Sequence, residues 1–170
     1  MNRLDYELSV KVASLIKAKE YRCWYNACKA ITLLPGMFFF ASYTEGWLVV
    51  PKEHEIQVIE HGWITRTDRC VVDPSVVLLE EKGQYLAYFP ALHFSWSQVQ
   101  ALPEGIPLPL AHLLSPTKDE LGDPDYRAAY DAALAHAEQL AGTSGKRVQV
   151  CSKEHILAVV TRKGTIVIIY

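Results

Sequence analysis

From residue 37 to residue 73 the chain strings together apolar and aromatic runs separated only by short turns, with no room for a helix between them. The runs cover residues 37–50, 57–65 and 70–74, and the turns fall at residues 51–55 and around Thr67-Asp68. Strands joined by such short turns pair antiparallel, because a parallel pair needs a crossover of a dozen or more residues. The segment therefore predicts an antiparallel meander and argues against a doubly wound parallel sheet.

Helical patterns flank the meander. Leu4, Leu8, Val12, Leu15 and Ile16 recur at helical intervals within residues 4–18. After a break at residues 19–22, a mostly apolar helix begins at Cys23 and is stopped by Pro35-Gly36. Residues 80–121 are less patterned, with a short strand candidate at 85–89, a polar-aromatic stretch at 93–96 and a proline-rich link over 103–116. Asp123 suits an N-cap and Pro124 the first helical position of a helix that runs to Ala141 and ends at Gly142. Residues 147–151, 156–161 and 165–170 read as strands, the last two forming a hairpin. The expected fold is α+β in a single domain over residues 1–170: N-terminal helices on an antiparallel sheet, with an extra C-terminal helix and hairpin.

Composition narrows the functions. With 170 residues, 50% hydrophobic and 21% charged, the chain can bury a full core without staples or metals. A net charge of -2 gives no basic footprint, so nucleic acid is not an expected partner. No run nears the ~18 apolar residues of a membrane span, and the first residues lack the apolar stretch of a secretory signal. A cytoplasmic protein is expected. The four cysteines lie at irregular spacings without zinc-ligand patterns, so no metal and no cofactor is expected. In a reduced compartment each cysteine is either a small core residue or a reactive thiol.

Cys23 has the context of a reactive thiol. At the first turn of a buried helix it meets the positive end of the helix dipole and unpaired N–H groups, which favour a thiolate. Such a nucleophile needs a base, and the base an orienting partner. His61 and Trp63 share a strand face, and Asp73 ends the next strand of the meander, so imidazole and carboxylate are expected to meet. Cys28, Cys70 and Cys151 read as structural. Glu45 and Glu60 sit in apolar strands, where pocket lining and exposed-face alternation explain them equally well. His93 reads as a surface or supporting residue, and His112, His136 and His155 as solvated.

The segment Arg22-Cys23-Trp24-Tyr25-Asn26-Ala27 resembles the nucleophile segment of transglutaminase-like and papain-like cysteine enzymes. His61-Gly62-Trp63 and Val72-Asp73-Pro74-Ser75 resemble the His and Asp strands of the transglutaminase-like group, in the same chain order. The resemblance covers about residues 20–78. It implies a papain/transglutaminase-like domain with a Cys23-His61-Asp73 triad and thiol-dependent acyl chemistry: amide hydrolysis, deamidation or acyl transfer on a protein, peptide or small amide or ester. Trp24, Asn26 and Trp63 are the candidate substrate contacts. Two features depart from the relatives: residues 15–20 lack the Gln that papain-like enzymes place before the nucleophile, and the calcium loops of large transglutaminases are missing. The competing expectation is a catalytically inactive domain of the same fold that binds a protein partner.

Overall fold

The computed structural model describes residues 3–102 and 123–151. The expected C-terminal hairpin, the proline-rich link, His112 and His155 lie outside the described residues. The architecture is α+β. Helix α1 (Tyr6–Ile16) opens on Asp5, whose carboxylate accepts the Leu8 N–H at 3.1 Å, and closes on Lys17 in the left-handed region at φ 52°. It buries Ser9, Val12, Ala13 and Ile16, whereas Leu15, expected on the same stripe, faces solvent.

Helix α2 (Cys23–Leu33) begins at the expected residue and buries Cys23, Asn26, Ala27, Ala30 and Ile31. Its end is sharper than expected, because Pro35 starts a separate turn of helix, α3 (Pro35–Phe38). Residues 37–41 are therefore not a strand. Phe38 is the buried side chain of that turn, and the sheet begins only with β1 (Ser42–Pro51).

Strand β1 pairs antiparallel with β2 (Glu55–Thr65), and β2 with the short β3 (Val71–Val72). A turn of 3-10 helix (Val76–Leu78) follows β3. Strand β4 (Ala87–Ser95), longer than the expected 85–89, pairs with the other edge of β1 and runs into α4 (Trp96–Gln100). Helix α5 (Pro124–Ser144) has the expected Asp123 cap, its carboxylate accepting from the N–H groups of Asp125 and Tyr126. It passes through Gly142 and ends at Gly145, where φ is 68°. Among the described residues the last element is β5 (Arg147–Cys151).

The sheet order is β3-β2-β1-β4, with β5 on β2 as well. One pairing corrects the all-antiparallel expectation: β5 runs parallel to β2, residues 55–59 against 147–151. The long connection carrying α5 supplies the crossover such a pair requires. Ala129, Ala133, Ala137 and Ala141 bury a stripe of α5 against Trp47, Val49, Ile56 and Val58 of the sheet. Along one edge of β2, β3 takes residues 64–65 and β5 takes 55–59. Residues 60–63 lie between the two, and there the first turn of α2 meets the sheet.

Candidate active site

Arg22, at the N-cap of α2, makes no side-chain hydrogen bond to the first turn of the helix. Cys23, the first helical residue, is 8% exposed. The helix approaches β2 at Gly62, where a Cβ would lie 2.7 Å from Trp24 Cδ1 and 3.1 Å from Trp24 Cα. The first contact is closer than real Cβ atoms come, so the glycine lets the helix that carries Cys23 lie against the strand that carries His61.

His61 is buried on β2, its ring stacked on Trp63 with centroids 6.2 Å apart. Its Nε2 is 2.7 Å from Asp73 Oδ2. That leaves Nδ1 for another partner, and the Cys23 sulfur lies near enough to the imidazole to influence its charge. Burial works against an imidazolium here. The Asp73 carboxylate and the Cys23 sulfur outweigh it and hold the His61 pKa well above its usual value.

Asp73 is wholly buried, and both of its oxygens are fully used. Oδ1 accepts the backbone N–H groups of Ser75 and Val76, each at 3.0 Å, which caps the 3-10 turn. Oδ2 accepts from His61 and, at 3.1 Å, from the hydroxyl of Tyr88 on β4. The Asp73 N–H donates to Ser9 Oγ at 2.9 Å. Burial alone would raise this carboxyl, but the His61 charge and the donated hydrogen bonds keep its pKa below the ordinary value. Register explains the geometry. Ile64 faces Val72, so residue 73 continues opposite residue 63, and the carboxylate meets His61 diagonally along the strand.

Two of the expected substrate contacts are positioned otherwise. Asn26 is 1% exposed and its amide is spent internally: Nδ2 donates to Lys19 O at 2.7 Å and to Ser75 Oγ at 2.8 Å, while Oδ1 accepts the Lys19 N–H at 3.1 Å. It ties the loop before Cys23, the helix and the Asp73 turn into one unit. Trp63 is fully buried, with its indole N–H on Thr65 Oγ1 at 3.1 Å. Neither side chain faces solvent, so neither is a substrate wall. Trp24 is half-buried, and its indole N–H has no hydrogen-bond partner among the described residues.

Beside the site lie two buried carboxylates, which rules out exposed-face alternation for both. Glu45 accepts the Tyr43 hydroxyl and Glu60 the Tyr126 hydroxyl, each at 2.6 Å. Burial first, and then Glu60, Glu45 and Cys23, raise the Tyr126 hydroxyl far above its usual range. The Cys28 thiol is pushed up to about 11 by burial and by Glu45, as befits a core thiol. His93 shares a hydrogen bond with Thr44 Oγ1 at 3.1 Å. His136 is not simply solvated, since it bonds and stacks with Tyr85.

Reasoning from the sequence missed Tyr88 and the bracing role of Asn26. An aromatic in an alternating strand carries no mark of a polar partner, and an Asn three residues after a candidate nucleophile invites a substrate role. Among the described residues no group of three or more His, Cys, Asp or Glu could hold a metal ion, and no helix is long and apolar enough to cross a membrane. No family model, no curated protein and no solved structure matches this chain.

Proposed function

We propose that this chain is a cysteine enzyme of transglutaminase-like type that forms an acyl-thioester at Cys23. His61 accepts the thiol proton at Nδ1, and the sulfur attacks an acyl carbonyl. The charge developing on the carbonyl oxygen meets the N–H of Cys23 at the uncapped helix start. His61 then protonates the leaving amine or alkoxide, and water or an amine cleaves the thioester. Asp73 orients the ring through Nε2 and stabilises its charged form. The observation that carries this reading is the buried 2.7 Å His61–Asp73 pair on the strand that the first turn of α2, beginning at Cys23, meets at Gly62.

A second reading is a binding module without catalysis. It is favoured by the aromatic corner after α2, where Phe39 is 55% and Phe40 is 80% exposed. Cysteine chemistry separates the two. An activated ester such as p-nitrophenyl acetate is expected to leave one acetyl group on Cys23, seen by peptide mass spectrometry, and none on Cys28, Cys70 or Cys151. Cys23→Ala should lose the adduct and the ester turnover while melting like the parent. If Cys23 reacts only after unfolding, the enzymatic reading fails and the module stands.

A further inference from the structure

The Asp73 carboxylate is held by four donors, and only one of them comes from across the sheet. Strand β4 lies at the opposite edge from β3 in the order β3-β2-β1-β4, yet Tyr88 places its hydroxyl 3.1 Å from Asp73 Oδ2. Tyr88 is 4% exposed, and its ring packs edge-on against Trp63 with centroids 5.2 Å apart. Trp63 in turn stacks on His61. Two chains of contact thus run from Tyr88 to the imidazole, one through the carboxylate oxygen that His61 uses and one through the indole.

From this arrangement we infer that Tyr88 is a positioning residue of the triad, which keeps Asp73 ionised and its Oδ2 aimed at His61 Nε2. The inference rests on the triad reading. In a site closed to water, a carboxylate keeps its charge only while its lone pairs are satisfied. The backbone N–H groups of Ser75 and Val76 fix Oδ1. Without the phenol, Oδ2 is served by His61 alone, and the carboxyl takes up a proton at higher pH. Once Asp73 is neutral, burial drives His61 neutral as well, and the imidazole no longer holds the charge that supports the sulfur. Tyr88 therefore sets how far into acid the site keeps its charged form.

The test is the pH dependence of Cys23 alkylation by iodoacetamide, which needs no knowledge of the substrate. The parent should show alkylation at Cys23 that persists on the acid side of neutrality and falls along an acid limb. Tyr88→Phe keeps the ring and removes only the hydroxyl. Its acid limb should move up by about one pH unit, the worth of a hydrogen bond to a charged group. A merely structural tyrosine would lower the melting temperature and leave the limb in place. Should Tyr88→Phe fail to fold, 3-fluorotyrosine at position 88, a stronger donor, must move the limb down. A parent without any acid-side reactivity at Cys23 defeats the triad reading itself. A parent with it, and a variant whose limb superimposes on it, defeats only the role given to Tyr88.

Discussion

Asp73 shows how much of this site rests on single atoms. Breaking a buried ion pair by removing one charge costs on the order of 3–5 kcal/mol. Asp73→Asn, which can still accept at Oδ1, should therefore lose about 3 kcal/mol in urea unfolding at neutral pH, whereas an exposed carboxylate such as Asp125 should lose under ~0.5 kcal/mol. The pair also dictates a pH window. The Asp73 pKa is lowered from 3.8, so its stabilisation is present above that value and lost as pH falls through the folded one. The His61 pKa is raised above 6.5, so its contribution is full below that value and lost as pH rises through the folded one. Both describe one ion pair and count once. The melting temperature should be highest between those limits, and Asp73→Asn should flatten both flanks. Unchanged flanks in the variant would mean that the pair does not govern them.

Among the elements, the N-terminus of α2 matters most, and its approach to β2 depends on a missing side chain. In Gly62→Ala the new methyl would sit 2.7 Å from Trp24 Cδ1 and 3.1 Å from Trp24 Cα, so the indole must swing away and the helix start must give with it. Overpacking of this kind costs about 1–3 kcal/mol, and a shift of about 1 Å at a reacting centre costs roughly 100-fold in rate. Cys23 alkylation in Gly62→Ala should fall at least tenfold while the fold persists, and a parental rate would show that the contact does not set the geometry. The start of α2 is legible in the sequence, since an apolar run from Cys23 closed by Pro35 has few other solutions. So is the meander that brings His61 toward Asp73. The α3 turn is not legible, because residues 37–42 are equally apolar as strand or helix and only Phe38 inside the core decides. The use of Asn26 is hidden for another reason: its partners, Lys19 and Ser75, are on separate segments, and only packing introduces them.

Taken whole, the molecule curls a sheet so that opposite edges meet at one carboxylate, and sequence periodicity reports neither curl nor strand order. The parallel seat of β5 on β2 is unreadable for the same reason: alternation says that residues 147–151 form a strand, not which way its neighbour runs. Helix α5 braces this arrangement by packing its alanine stripe on the sheet. Ala137→Leu, at a position with no exposure, should therefore cost about 1–3 kcal/mol in thermal or urea melts. Below the melting transition the Cys23 alkylation rate should stay parental, and a loss of reactivity would make α5 part of the site. The claim at the centre is that Cys23, His61 and Asp73 form one charged unit, and the titration of the His61 ring by nitrogen NMR tests it most directly. The predicted result is a midpoint well above 6.5 in the parent, lowered separately by Asp73→Asn and by Cys23→Ala. A midpoint at or below 6.5, or one that ignores Cys23→Ala, would leave a structural His–Asp pair and contradict the account.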